Sequence, residues 1–243
     1  MIPTFRWEAP GPYEVAFSTR LGGVSEGAFE SLNLGILTGD EPERVIENRT
    51  RLCEKVGIEP GLATMLWQQH GPGVVRASID RGVLTAGFDH PPGDVLWSDE
   101  PGLAMMLITA DCLPVAVARA NGSAPAIAVL HVGWRGLLAG IAAAATEALG
   151  GGRLAAVIGP GIGPCCYEVG EDVAEPFRRR FGAEVLVGSH LDLYAATEKA
   201  LHGAGCTRVE RVEMCTSCHP DLFFSHRRDD GVTGRQGVVA RVA

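Results

Sequence analysis

Three continuous apolar runs in the middle of the chain constrain its fold more than any other feature. Residues 103–109, 113–118 and 127–130 read LAMMLIT, LPVAVA and IAVL, with a single threonine as their polar side chain. A strand with one face in water alternates apolar and polar residues, whereas a strand covered on both faces does not. These runs therefore predict strands of a sheet that is buried between two other layers.

Weaker patterns place further elements around these runs. Strand-like composition occurs at residues 15–19, 63–68, 95–98, 155–158, 209–214 and 238–242. Helical periodicity or an alanine-rich composition occurs at residues 40–57, 136–149 and 191–202. In the first of these helices Asp40 is the expected N-cap, and Pro42 lies in the first turn. Because strands outnumber helices, we expect a mixed α/β fold of layered sheets beneath helices, as one domain over residues 1–243.

Charge and cysteine content limit the partners and the cellular compartment that we expect for the chain. Lys and Arg total 21 against 29 Asp and Glu, and this formal charge of −8 argues against a nucleic-acid partner. The first residues lack the basic start and the following apolar run that are typical of a leader peptide, and no apolar stretch is suited to spanning a bilayer. The cysteine count is seven, an odd number that favours reduced thiols. We therefore expect a cytoplasmic protein without a membrane segment, and we find no signal for an oligomeric state.

Residues at the ends of predicted strands carry the most specific chemistry. Cys112 lies beside Asp111 between two apolar runs, His131 directly follows the third run, and His70 lies at another junction of strand and loop. Two imidazoles and a thiolate form a zinc ligand set that leaves a fourth position open for water. Cys112 and His131 equally suit a nucleophile and its base without metal. The spacing leaves both interpretations open, and each residue taken singly also fits ordinary packing.

Basic residues near glycine turns indicate an anion site. Arg20 precedes the Gly-Gly turn of residues 22–23, which can present amides to an anion. Arg135 lies just ahead of the alanine-rich helix, where it adds charge at a helix N-terminus. Residues 223–228, FFSHRR, fit either a grip on phosphate or a strand with an exposed basic end. Taken alone, each of these features is also typical of surface turns and ion pairs.

A C-x-x-C-H motif occupies residues 215–219. It matches the attachment pattern of haem c, which we exclude because haem attachment needs an exported chain. A thioredoxin-like pair and a four-ligand zinc site are alternatives, but no second C-x-x-C motif is present to complete a Cys₄ site. Residues 165–166 are two further cysteines without an assigned role. We expect residues 215–219 to form a loop with two thiols after a strand.

Taken together, these segments resemble the YfiH-like family, also known as the laccase-domain or polyphenol oxidase family and as multifunctional purine nucleoside phosphorylases. The matching motifs are STRLGGVS at residues 18–25, SLNLG at 31–35, ENR at 47–49, QHG at 69–71, TADCLP at 109–114, HVGWRG at 131–136, GPGIG at 159–163, CT at 215–216, RR at 227–228 and TGR at 233–235. They occur in family order, so the set is far more specific than any one motif. Cys218 and His219 fall outside the family pattern.

The resemblance implies a single layered α/β/β/α domain, similar to the catalytic fold of the cytotoxic necrotizing factors. It implies a catalytic zinc ion, with copper as the alternative, held by His70, Cys112 and His131. It also implies phosphorolysis of adenosine, inosine and methylthioadenosine, with adenosine deamination as a second activity. The implied partners are therefore purine nucleosides and phosphate.

On this basis we expect catalytic and binding roles for specific residues. Cys112 and His131 are expected to be catalytic as well as metal-ligating, and Asp111 to orient a ligand or move a proton. The expected substrate and phosphate ligands are Arg20, Asn33 and Arg135.

Two alternatives come from other enzyme classes. A Cys–His amidohydrolase that edits peptidoglycan precursors uses the same thiol and tolerates metal removal. A copper polyphenol oxidase is the older family label, but seven histidines without a dense His-x-His cluster supply a multicopper site poorly. Metal analysis combined with chelation therefore distinguishes these readings from the zinc enzyme.

Overall fold

The computed structural model of the chain describes residues 2–79, 82–84, 90–120 and 124–243. Its strands are β1 (Thr4–Trp7), β2 (Tyr13–Ser18), β3 (Ala63–Met65), β4 (Val74–Arg76), β5 (Val95–Ser98), β6 (Ala104–Thr109), β7 (Leu113–Arg119), β8 (Ile127–Val132), β9 (Leu154–Ile158), β10 (Leu186–Val187), β11 (His190–Leu191), β12 (Cys206–Arg211) and β13 (Gln236–Val242). Its helices are α1 (Pro42–Lys55), α2 (Trp134–Leu138), α3 (Ile141–Ala148), α4 (Glu171–Phe181) and α5 (Leu193–Gly203). None of these helices has the length and apolar character needed to cross a bilayer.

The strands form two main sheets. The first sheet has the order β1-β2-β13-β6-β3, and the second has the order β12-β9-β7-β8-β5-β4. Most neighbours are antiparallel, but β3 and β6, β4 and β5, and β9 and β12 form parallel pairs. Strand β13 lies between β2 and β6, so Val238 pairs with Phe17 on one side and with Leu107 on the other. The short strands β10 and β11 form a separate hairpin.

The apolar runs at residues 113–118 and 127–130 reflect two cores, one on each face of the second sheet, whereas the run at residues 103–109 lies in β6 of the first sheet. Along β7, Val115 and Val117 pack beneath the helices, whereas Ala116 and Ala118 face the first sheet. Successive side chains of a strand point to opposite faces, so both sets are apolar when both faces are covered. The small alanines leave room for large side chains of the first sheet such as Phe17. The prediction of a sheet buried on both faces is confirmed.

Helices cover the outer faces of both sheets, so the layers run α/β/β/α. Leu52 and Cys53 of α1 pack with Met65 and Met106 on the outer face of the first sheet. Helices α2 to α5 cover the outer face of the second sheet, and Phe177 of α4 is completely buried there. The expected mixed α/β fold of layered sheets is therefore confirmed.

Some local predictions are wrong. The helix expected at residues 136–149 is two helices, because Gly140 adopts a left-handed φ of 91° between α2 and α3. Helix α1 begins at Pro42, but Asp40 does not cap it, since the Asp40 Oδ2 atom accepts hydrogen bonds from two side chains of the preceding loop. Strands β1, β4, β10 and β11 and the helix α4 were not predicted.

Candidate functional site

The three expected metal ligands come together where the two sheets meet. Cys112 lies in the tight turn that carries the chain from β6 in the first sheet to β7 in the second. His131 belongs to β8, the neighbour of β7, and His70 lies in the loop between β3 and β4. The ligand atoms of the three side chains all lie within 4.8 Å of one another. The His70 and His131 rings are 4.7 Å apart between centroids and meet edge to face.

The backbone at this site adopts conformations that L-residues rarely use. His70 has a φ of 61° and Asp111, directly before Cys112, has a φ of 90°. Such conformations at non-glycine residues cost on the order of 1–3 kcal/mol and persist only where surrounding contacts enforce them. At Asp111 these contacts are hydrogen bonds that its carboxylate accepts from Thr216 Oγ1, at 2.6 Å, and from the backbone N–H of Arg227, at 2.7 Å.

This arrangement gives Asp111 a clear positioning role. Its two carboxylate oxygens hold two points of the segment between β12 and β13, and its backbone carbonyl accepts a hydrogen bond from the N–H of Ile162. Asp111 lines the cavity described below. Its expected part in orienting a ligand or moving a proton stays a prediction, whereas its contacts show that it shapes the turn presenting Cys112.

Asp94, which sequence analysis did not single out, organises both histidines. Its Oδ1 atom lies 2.7 Å from His131 Nδ1 and accepts the backbone N–H of His70 at 2.9 Å. Its Oδ2 atom accepts the backbone N–H groups of Gln69 at 3.1 Å and Gly71 at 2.8 Å. Asp94 is 0% exposed, so it is a buried acceptor with four donors. Because a carboxylate only accepts, His131 Nδ1 carries a proton in this contact, and Nε2 is the nitrogen that could bind a metal ion after losing its own proton, as in the second-sphere arrangement common to zinc histidines.

The electrostatics of the site favour a charged ligand set. Burial opposes ionisation of Asp94, but hydrogen bonds from His131 and the backbone of Gly71 lower its pKa below the ordinary value. Burial also opposes a thiolate at Cys112, yet the charge of His131 and hydrogen bonds from both histidines lower the pKa of that thiol to about 6. A thiolate held between two imidazoles matches what zinc binds, with a position left for water or substrate. The same thiolate and imidazole also suit a metal-free Cys–His nucleophile.

A cavity of about 530 Å³ opens above these residues. Its size lies within the range of small-molecule sites, roughly 300–1,000 Å³. Apolar side chains share its wall with several basic groups. The lining residues are Gly35, Ile36, Leu37, Thr38, Arg49, Met65, Leu66, Trp67, Gln68, His70, His90, Ile108, Thr109, Ala110, Asp111, Cys112, His131, Trp134, Arg135, Ile162, Tyr167, His226, Arg227 and Arg235.

Four arginines line the cavity: Arg49 of α1, Arg135 of α2, and Arg227 and Arg235 of the segment between β12 and β13. Arg135, in the first turn of α2, places its guanidinium 4.2 Å from the Trp134 ring centroid. Arg227 donates from Nη1 to the Glu168 carbonyl oxygen at 2.8 Å. Arg235 donates from Nη1 to two backbone carbonyls of its own turn. Arg135 was predicted as an anion ligand and lines the cavity. Arg227 belongs to the segment for which a grip on phosphate was one of two interpretations, and Arg235 appeared in the sequence only as part of a family motif.

The structure does not bring Arg20 to the cavity. Its Nε donates to the Glu30 carbonyl at 2.7 Å, its Nη1 donates to the Pro220 carbonyl at 3.0 Å, and it lies over the Phe224 ring. The amides of the Gly-Gly turn are engaged as well, because both donate to Ser31 Oγ. These contacts join neighbouring loops, and the expected phosphate role of Arg20 stays a prediction that its position outside the cavity lining does not support.

Asn33 acts on the cavity indirectly. It is completely buried, and its Oδ1 atom accepts the backbone N–H groups of Gly35 and Arg235, each at 2.9 Å. Its Nδ2 atom donates to Thr38 Oγ1 at 2.9 Å. Asn33 thus holds three cavity-lining residues in place without lining the cavity itself.

The glycine at position 133 allows the candidate metal ligands to pack closely. A Cβ atom at this position would lie 3.0 Å from Cys112 Sγ and 3.2 Å from His70 Cδ2. Because the φ of Gly133 is −94°, an alanine there meets no backbone strain and acts through this crowding. Overpacking of this kind costs about 1–3 kcal/mol.

We expect Gly133→Ala to weaken metal binding about tenfold or more, since that cost falls on the ligand geometry. Competition with a chelating dye measures the affinity. Gly61→Ala is the matched control, because a Cβ atom there meets nothing within 4 Å. Equal metal affinity in the two variants would contradict the crowding argument.

Comparison with known proteins gives matches over nearly the whole chain. Residues 14–243 match the family described as multi-copper polyphenol oxidoreductase laccase. A Pseudomonas aeruginosa relative named purine nucleoside phosphorylase PA4543 is 38% identical over 94% of this chain and 93% of its own length. A Geobacillus stearothermophilus relative named purine nucleoside phosphorylase YlmD is 36% identical over 90% of this chain and 86% of its own.

A solved structure shows the same fold. The crystal structure of the Bacillus licheniformis hypothetical protein YfiH superposes with a TM-score of 0.88 and 28% identity, covering 97% of this chain and 98% of that one. The layered sheets and the sequence match thus lead to one assignment: the chain belongs to the laccase-like polyphenol oxidoreductase family, which includes relatives named YfiH and YlmD.

Proposed function

We propose that the chain is a zinc-dependent purine nucleoside phosphorylase that cleaves adenosine, inosine and methylthioadenosine, with adenosine deamination as a second activity. The observation that carries the proposal is the juxtaposition of the His70, Cys112 and His131 cluster with cavity-lining arginines. A cationic wall beside a ligand set with an open position suits a reaction between phosphate and a neutral nucleoside. The names of the relatives support the same activity.

In phosphorolysis a phosphate oxygen bonds to the anomeric carbon of ribose as the bond to the purine nitrogen breaks. The electron pair leaves with the base, which takes up a proton. Arg135, Arg227 and Arg235 hold the phosphate and offset its charge beside the reacting carbon. Zinc, when bound, supplies Lewis acidity and lowers the pKa of water for the deamination. Asp94 keeps His131 in the tautomer that a metal ion needs.

The decisive experiment measures release of free base from inosine and adenosine, with and without phosphate, before and after chelation. We expect phosphate-dependent turnover that disappears with the metal and returns on addition of zinc. Metal analysis of the active protein decides between zinc and copper. A zinc-loaded protein without nucleoside turnover would contradict the proposal.

A second candidate function has its own structural support. Cys112 and His131 form a thiolate–imidazole pair, and Asp94 orients the imidazole in the manner of a catalytic triad. This arrangement suits an amidohydrolase that acts on peptidoglycan precursors. Such an enzyme would still hydrolyse its amide substrate after a chelator had removed bound metal. Thiol alkylation would inactivate it, whereas phosphate would not affect its rate.

The phosphate assignment predicts a selective kinetic effect. Arg135 is exposed, and its side chain contacts the adjacent Trp134 ring, so Arg135→Ala removes charge with little structural cost. Charge-assisted hydrogen bonds contribute about 1.5–3 kcal/mol, so we expect KM for phosphate to rise about tenfold or more. Initial rates at varied phosphate and saturating inosine measure this change.

Two further variants test the specificity of that effect. Arg76→Ala is the matched control, because Arg76 is a surface residue paired with Asp99. Arg20→Ala tests the position of Arg20 outside the cavity lining and should leave KM for phosphate unchanged. A rise in this KM for Arg20→Ala equal to that for Arg135→Ala would reinstate Arg20 as the phosphate ligand.

A further inference from the structure

A second group of potential metal ligands lies outside the cavity. It consists of Cys165, Cys166, Cys215 and Cys218, here called the tetracysteine cluster, and its four sulfur atoms all lie within 4.8 Å of one another. The Cys218 sulfur is 3.4 Å from the sulfurs of both Cys165 and Cys166. None of the four lines the cavity. Sequence analysis found no second C-x-x-C motif to complete such a set, but two adjacent cysteines from a distant loop complete it instead.

The sulfur separations fit a shared tetrahedral ion better than a disulfide. A disulfide needs sulfur atoms about 2.0 Å apart, and all four residues are free thiols. Zinc binds thiolates at about 2.3 Å, so sulfurs at the corners of a tetrahedron lie about 3.8 Å apart. The observed separations, from 3.4 Å up to at most 4.8 Å, bracket that value.

The fold brings the two loops together before any ion binds. Strands β9 and β12 are parallel neighbours, so their carboxyl ends emerge at the same edge of the second sheet. The loop after β9 carries Cys165 and Cys166, and the loop after β12 carries Cys215 and Cys218. The loops also pair directly, because the backbone N–H of Thr216 donates to the Gly161 carbonyl at 2.9 Å.

Backbone groups are placed to stabilise thiolates. The N–H of Gly163 donates to the Cys215 sulfur at 3.2 Å, and the N–H of Cys218 donates to the same sulfur. Four thiolates around a divalent ion leave a net charge of about −2, and N–H donors to sulfur are the usual means of offsetting it. An ordinary pair of surface thiols would need no such donors.

We propose that the tetracysteine cluster binds a structural zinc ion, distinct from the ion proposed for the cavity. Four sulfur ligands close the coordination sphere, so this ion is not catalytic. It cross-links the two loops that carry Ile162, Tyr167 and Thr216. The first two line the cavity, and the third binds the carboxylate of Asp111. The ion therefore stabilises one wall of the cavity from outside.

The number of zinc ions bound per chain tests this proposal. It is measured on reduced, purified protein by inductively coupled plasma mass spectrometry. We expect two zinc ions per chain in the wild type and one in Cys218→Ser, which alters an exposed residue. We expect one in Cys112→Ala, and two in the control Cys206→Ala, which removes a buried thiol elsewhere. One ion in the wild type, retained in Cys218→Ser and lost in Cys112→Ala, would overturn the proposal.

The same measurements separate this proposal from the proposed function. If the cavity bound no zinc, the wild type would hold one ion, Cys112→Ala would keep it and Cys218→Ser would lose it. A native disulfide between cluster cysteines, found by peptide mapping of protein purified with reductant, would also overturn the proposal.

A spectroscopic measurement checks the ligand type without relying on activity. Cobalt loaded into Cys112→Ala should give intense thiolate-to-metal absorption and the visible bands of a tetrahedral site. The double variant Cys112→Ala with Cys218→Ser should lose these bands. A chelator should lower Tm of the first variant and leave that of the second unchanged, because only the first retains the proposed cross-link. Identical spectra and identical Tm responses in the two variants would contradict a tetrathiolate site.

Discussion

Cys112→Ala is expected to lose the cavity metal and to lower kcat/KM for inosine by about 10³-fold or more. The thiolate is the one anionic ligand among the three, so its removal leaves two neutral imidazoles to hold a divalent ion. A metal ion contributes several kcal/mol to transition-state stabilisation, and each 1.36 kcal/mol corresponds to a factor of ten in rate. Steady-state kinetics together with metal analysis of the same sample measure both effects.

Cys53→Ala is the matched control for this variant. Cys53 lies on the inner face of α1, is completely buried in the core of the first sheet and does not line the cavity. The Cys53→Ala variant should retain the metal ion proposed for the site and the activity of the wild type. It should lose a modest amount of stability, because the missing sulfur leaves a small void in the core. Full zinc content and full activity in Cys112→Ala would refute the site assignment.

Asp94→Asn is expected to lower zinc affinity by about 10–100-fold, the usual effect of removing a second-sphere carboxylate. It is also expected to lower the free energy of unfolding by about 1–3 kcal/mol. The carboxylate accepts hydrogen bonds from His131 Nδ1 and three backbone N–H groups, through both of its oxygens. An asparagine has one oxygen, so its NH₂ group must face donors on one side. Either orientation leaves buried donors unpaired.

Two measurements separate the parts of this effect. Chelator competition gives the zinc affinity, and urea unfolding of metal-free protein gives the stability loss that does not involve the ion. Asp99→Asn is the control, because Asp99 is a partly exposed carboxylate paired with Arg76 at the surface. Zinc affinity of Asp94→Asn equal to that of Asp99→Asn would show that the carboxylate does not support the ligands.

The local sequence pattern was sufficient to predict the buried strands, but it was insufficient to predict strand ends and the strands at the sheet edges. The run at residues 113–118 is apolar because both faces of β7 are covered, and this information lies within the run itself. The predicted strand at residues 63–68 ends at Met65, where the chain turns toward the His70 loop. Strand β4 escaped prediction because it is three residues long and exposed at the sheet edge, where burial leaves no apolar signature.

The candidate site shows a similar division. The positions of Cys112 and His131 beside apolar runs marked them as candidates, and the family resemblance grouped them with His70. The importance of Asp94 follows from pairing between strands: the register of β5 and β8 sets Val95 opposite Leu130, which brings the carboxylate to the imidazole. The tetracysteine cluster depends in the same way on β9 lying beside β12. Neither pairing leaves a trace within a short window of sequence.

The central position of β13 has a consequence for how the chain folds. This strand joins β2 to β6, and its Val238 pairs with Phe17 from the opposite end of the sequence. Until β13 arrives, β2 and β6 present unpaired edges, and such edges are prone to pairing between chains. Contacts between residues so distant in sequence form slowly, because a long loop must close before they stabilise anything. Completion of the first sheet is therefore the late step of folding, and the step most exposed to pairing between chains. In the second sheet, β7 pairs with β8 and β9, strands that are near it in the sequence.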